Sequence, residues 1–176
     1  CPTQAITAPY QLDARRCISF LTIENKGPIP EEFREAMGDR IFGCDDCLDA
    51  CPWNRFARAS RDADLQSRAD LLSKPLREFL ALDEQQFKDL FRNSPILRAK
   101  RRGFLRNVCV ALGNVGTTDD LPALQNAAQD SEPLLREHAA WAISRISARR
   151  NFLPRPATAA TAAPLAAFAA FAAFAA

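Results

Sequence analysis

Between residues 61 and 150 apolar side chains recur every three or four positions, with polar residues in the intervals. This is the period of an amphipathic helix. It predicts helices over Leu76 to Leu82, Glu84 to Phe91, Pro95 to Asn114, Asp120 to Ala128 and Pro133 to Ile146, with breaks at Pro75, Pro95, Gly116 and Pro133. No alternating strand pattern competes there. Before residue 61 the pattern is more broken. Asp13 can cap a helix to about Glu24 that turns Cys17, Ile18, Leu21 and Phe20 inward, and Lys26-Gly27 stop it. Pro28 and Pro30 mark a loop, Pro30-Glu31-Glu32 open a second short helix, and Gly38 ends it. Gly43 permits a tight turn, and Cys51-Pro52 stops the local helix because proline has no N–H to donate.

Residues 157 to 176 are almost all Ala, with Phe168, Phe171 and Phe174 at intervals of three. The run after Pro164 has 12 residues, where a membrane span needs about 20. The tail therefore reads as low-complexity chain without assigned function. The organisation expected is a cysteine domain over 1–60, a helical domain over 61–150 and a disordered tail over 151–176. Within the helical zone Ala111-Leu112-Gly113-Asn114-Val115 is echoed by Ala142-Ile143-Ser144-Arg145-Ile146, 31 residues on. Helices repeating at such a distance suggest a short solenoid of HEAT type, whose usual period is roughly 40 residues. An irregular helical bundle with a chance echo is the alternative. Either way the fold class is mainly α.

Composition narrows little. The chain has 176 residues, 48% hydrophobic and 25% charged, with a net charge of +2. These are ordinary values for a globular protein, and only the distribution of charge could speak for a polyanionic partner. Cysteine changes the picture, because five of six lie before residue 52.

Cys44, Cys47 and Cys51-Pro52 form Cys-x2-Cys-x3-Cys-Pro, the end of the run that binds cubane iron-sulfur clusters in bacterial ferredoxins. The position that would carry the preceding cysteine is Ile41. Cys1-Pro2 reads as the close of an earlier run, and Cys17 stands alone. In two-cluster ferredoxins the Cys before Pro ligates the other cluster. Cys1 then joins Cys44 and Cys47, Cys17 replaces the ligand absent at 41, and these four hold one 4Fe-4S cluster. Cys51 belongs to a second cluster whose other ligands would precede residue 1, so the chain reads as the back part of a larger protein. Structural zinc and disulfides are the competing readings of such cysteines. No secretory leader is seen, and a cytoplasmic protein is expected. Trp53 and Phe56 are read as apolar shielding of a cluster rather than as a platform for bases.

Arg98, Lys100, Arg101, Arg102 and Arg106 place five positive charges within nine residues. On one helix, Arg98, Arg102 and Arg106 would form a ridge able to neutralise phosphates of a folded RNA, with Arg136 extending it; a merely solvated face is the alternative. His138 is read as a packing or hydrogen-bonding residue, and Cys109 as a small buried hydrophobe.

These residues also resemble a known family. Cys1-Pro2 through Tyr10, Leu12-Asp13-Ala14-Arg15-Arg16-Cys17-Ile18-Ser19-Phe20-Leu21-Thr22-Ile23-Glu24, Gly43-Cys44-Asp45-Asp46-Cys47 and Cys51-Pro52-Trp53-Asn54 look like epoxyqueuosine reductase. So do Ser94-Pro95-Ile96, Arg102-Gly103-Phe104-Leu105-Arg106-Asn107-Val108, Ala111-Leu112-Gly113-Asn114 and Arg136-Glu137-His138-Ala139-Ala140-Trp141-Ala142. The resemblance spans residues 1 to about 147. It implies a ferredoxin-like 4Fe-4S domain followed by HEAT-like repeats. The parent enzyme would use cobalamin and two 4Fe-4S clusters to reduce epoxyqueuosine at the tRNA wobble position. tRNA and an electron donor are the implied partners, with no membrane and a monomeric state. It supplies no catalytic residue here, because the family's cobalamin domain and catalytic acid are not in this sequence. The cluster domain of another cobalamin-dependent reductase such as a reductive dehalogenase, a zinc-stabilised tRNA-binding module and a polyferredoxin-like electron carrier are the alternatives.

Overall fold

The computed structural model describes residues 1–58 and 68–152, and the protein is mainly helical within them. The expected boundary near residue 60 and the Ala/Phe tail lie outside the described residues. Two short antiparallel strands, β1 (Ile6–Ala8) and β2 (Gln11–Leu12), open the chain. Among the described residues eight α-helices follow: α1 (Glu31–Arg34), α2 (Asp46–Asp49), α3 (Ala69–Leu72), α4 (Leu76–Phe79), α5 (Glu84–Leu90), α6 (Lys100–Val115), α7 (Leu121–Ala127) and α8 (Pro133–Phe152).

Local capping accounts for several boundaries. Asp83 and Gln86 form a reciprocal capping box at the start of α5, and Thr117 with Asp120 forms another before α7. The helix expected from Pro95 to Asn114 is two elements. Ser94 caps a 3-10 turn over Pro95–Ala99, and α6 starts again at Lys100, whose φ of 60° breaks the helical path. α8 runs on to Phe152, beyond the expected end at Ile146.

The core of the helical zone is an aromatic cluster. Phe79, Phe87, Phe91 and Phe104 are at most 1% exposed, with ring centroids 5.0–6.3 Å apart. Burying each such ring contributes roughly 1.5–3 kcal/mol. α6 and α8 lie side by side and run in the same direction. Arg101 pairs with Asp130 at 2.9 Å at one end, and Arg149 donates to the Gly113 carbonyl at 2.7 Å at the other. α7 packs on α8 and returns the chain between them. The 31-residue echo is thus the offset between parallel neighbours, and Gly113 lets them close. A Cβ there would fall on the Trp141 ring and 3.1 Å from Ala142 Cα.

The cysteine zone packs on the same helix. Val110 of α6 joins buried Ile18, Ile29 and Met37, while Ile41 enters the core of the helical zone. The expected helix from Asp13 to Glu24 is interrupted. Asp13 caps only a 3-10 turn, Ala14–Arg16, Cys17 is extended, and the chain then coils again, ending in a wide π turn over Phe20–Glu24. The last carbonyls of any helix lack internal partners; here Arg106 and Asn107 supply them. Among the described residues no helix is long and apolar enough to cross a membrane.

Candidate metal centre

Four of the five cysteines singled out from the sequence line one cavity of about 360 Å³: Cys1, Cys17, Cys44 and Cys47. Each arrives on a different local structure. Cys1 begins a turn closed by Gln4 N–H on its carbonyl at 3.2 Å, and its Sγ accepts the Ala5 amide at 3.2 Å. Cys17 sits in the extended break after the 3-10 turn, where its side chain leaves the helical path. Cys44 follows Gly43, whose φ of 79° suits glycine. Cys47 lies within α2.

The two middle segments are tied together. The Gly43 amide donates to Thr22 Oγ1 at 2.9 Å, Thr22 donates in turn to the Ile18 carbonyl at 2.8 Å, and Ser19 donates to the Cys44 carbonyl at 3.2 Å. Buried Ala5 and Ile18 floor the cavity, and exposed Ile6 and Leu12 of the hairpin form its rim. The hairpin was not expected from the sequence, because five strand residues separated by Pro9-Tyr10 are too short for a period to show.

Burial pushes the Cys44 thiol above its ordinary pKa, as does the Asp46 carboxylate that accepts from it at 3.5 Å. Arg40, 2.7 Å from Asp46, partly offsets that charge. A bound metal would reverse the balance, since coordination deprotonates a thiol outright. Burial, with Asp49 and Asp46 nearby, likewise raises Asp45. Among the described residues no three His, Cys, Asp or Glu side chains converge on a single-ion site. The thiols surround a space rather than a point, and a donor set of four soft sulfurs on an apolar-floored cavity fits a multi-iron cluster.

Cys51 is half-buried and does not line this cavity. Trp53 and Phe56 do not line it either. They are 74% and 60% exposed and contact each other at 5.7 Å between centroids, so any shielding they give is not of this cavity.

The basic stretch separates into different roles. Arg98 and Lys100 are exposed; Arg98 pairs with Glu24 at 2.6 Å, and among the described residues Lys100 has no ion-pair partner. Arg102 is also exposed and donates to the Lys26 carbonyl at 2.7 Å. Arg101 points elsewhere, to Asp130 and the Leu82 carbonyl. Arg106 is wholly buried, which removes it from any surface ridge. The break at Lys100 rotates Arg98 out of helical register, so the three arginines cannot form one line. Arg136 is exposed and folds back onto the Asp130 and Ser131 carbonyls, 2.9 Å from each. Cys109 is buried and its thiol is raised by that burial, in keeping with a packing role.

Residues 1–54 match the family model of a 4Fe-4S double cluster binding domain. The chain is 49% identical over 145 residues to an epoxyqueuosine reductase of Xanthomonas campestris pv. campestris, covering 82% of this chain and 41% of that protein. It is 46% identical over 151 residues to the Escherichia coli epoxyqueuosine reductase, covering 86% and 40%. Its fold is similar to a crystal structure of epoxyqueuosine reductase with an epoxyqueuosine-modified tRNA-Tyr stem loop, with a TM-score of 0.77 and 35% identity, over 83% of this chain and 39% of that one. The chain thus spans about two fifths of the length of the relatives it resembles.

Proposed function

We propose that Cys1, Cys17, Cys44 and Cys47 bind one 4Fe-4S cluster, and that Cys51 ligates a second cluster with cysteines outside this sequence. The chain would serve as the electron-transfer and tRNA-holding part of an epoxyqueuosine reductase. When bound, such clusters store and pass single electrons. The carbon-oxygen chemistry would belong to cobalamin, and no residue described here is offered as its ligand. Exposed Arg98, Lys100 and Arg102, with Arg136, would neutralise tRNA phosphates. Arg101 and Arg106 are committed to internal partners and are left out of that surface. In this reading residues 1–60 form a ferredoxin-like module and α6 to α8 belong to a HEAT-like stack. The protein works as a cytoplasmic monomer supplied by an electron donor.

The observation that carries the proposal is the convergence of four thiols, from three separate stretches of chain, on one cavity. The similarity to epoxyqueuosine reductases supports the choice of substrate. Iron and acid-labile sulfide analysis after anaerobic reconstitution tests it. About four irons per chain, with matching sulfide, are expected. One zinc per chain and no labile sulfide would replace the cluster with a structural ion.

A further inference from the structure

Arg106 and Asn107 are adjacent on α6 and both are 0% exposed. Arg106 donates to the carbonyls of Leu21 at 2.7 Å, Asn25 at 2.8 Å and Gly27 at 2.6 Å. Asn107 Nδ2 donates to the carbonyls of Thr22 at 2.8 Å and Ile41 at 2.9 Å, while its Oδ1 accepts from Arg106 at 3.0 and 2.8 Å. No carboxylate among the described residues pairs with Arg106. Burial, reinforced by Arg102, pulls its pKa down to about 10.

A buried guanidinium held only by neutral carbonyls is a costly way to fill a core. Apolar residues of similar volume often stabilise such positions at least as well. What these carbonyls share is their location. Leu21 and Thr22 lie in the turn entered just after Cys17, and Ile41 lies three residues before Cys44. Thr22 also receives the Gly43 amide, so the two cysteine segments are braced at one node on a rigid helix. Metal ligands need their supporting residues to hold position to within about 0.5 Å.

We propose that Arg106 and Asn107 are positioning residues for the metal centre, fixing Cys17 relative to Cys44 and thereby setting the reduction potential and lifetime of the bound cluster. The inference rests on the cluster reading above. It is tested on the full chain reconstituted anaerobically, comparing wild type with Arg106→Lys, which keeps the charge but not the fork, and Asn107→Ser, which removes both carbonyl contacts. Phe87→Leu serves as a control that weakens the aromatic core without removing a hydrogen bond to either cysteine segment. Both node variants should release iron to a chelator about tenfold faster. Their reduction equilibrium constant should shift threefold to tenfold, up to about 59 mV for one electron. Phe87→Leu should lower thermal stability and leave potential and release rate unchanged. Node variants indistinguishable from wild type in both readouts would overturn the proposal while leaving the cluster intact. So would a Phe87→Leu that shifted them equally. Absence of iron from the wild type would remove the cluster reading, and this proposal with it.

Discussion

His138 Nε2 accepts a hydrogen bond from the Ile29 amide at 3.1 Å, while Nδ1–H donates to the Leu134 carbonyl at 2.8 Å. The ring is therefore neutral, and it staples α8 to the loop before α1. Burial lowers its pKa from 6.5 to about 4, with Arg34 and Arg106 adding to the shift and Glu137 and the Leu134 carbonyl opposing it. Because the unfolded chain takes the proton first, this residue's contribution is complete above about pH 6.5. It falls between 6.5 and 4, and is constant below. Denaturant unfolding should show wild type losing about 2 kcal/mol more than His138→Gln between pH 7.5 and 5. Equal losses would mean that carboxylates alone set the acid sensitivity.

Cys17→Ala should reduce iron content as much as Cys44→Ala or Cys47→Ala, although Cys17 lies outside any local motif. All three thiols face one cavity with Cys1. Cys109→Ala should keep its iron and lose about 1 kcal/mol as a small cavity, measured by unfolding. Normal iron in the Cys17 variant would reassign the fourth ligand.

Arg98→Ala with Arg102→Ala should weaken binding of all tRNAs alike and lower the slope of log affinity against log salt by roughly one to two units. Arg106→Ala should act otherwise. Leaving the carbonyls of Leu21, Asn25 and Gly27 without this partner should cost about 3 kcal/mol of stability, visible as a lower melting temperature in the absence of RNA. Binding curves across a salt series separate the two effects.

The two glycines of α6 should respond in opposite directions. At Gly103 a Cβ meets nothing closer than Ala99 Cβ at 4.0 Å, so Gly103→Ala should stabilise by about 0.5–1 kcal/mol. Gly113→Ala must push against Trp141 and the α8 backbone and should destabilise by about 1–3 kcal/mol. Thermal melts of both variants check the pair.

Cysteine spacing was enough to nominate the residues around the cavity, because ligand spacing follows from the coordination chemistry and is written in the order of residues. Helical periodicity likewise marked α4 to α8, since a helix buries one face whatever it packs against. Where tertiary contacts decide, that reading stopped. Arg106 and Arg102 carry the same charge one helical turn apart; only the way residues 21–27 approach makes one a fully buried brace and leaves the other exposed, with a single bond to the Lys26 carbonyl of that segment. Trp53 and Phe56 follow Cys51 in sequence, yet adjacency in the chain says nothing about which cavity a ring faces. The interrupted segment from Asp13 to Glu24 has the residues of a continuous helix. Its break at Cys17 and its wide last turn place a thiol at the cavity and carbonyls at Arg106 and Asn107, partners more than 80 residues away that no local pattern can announce.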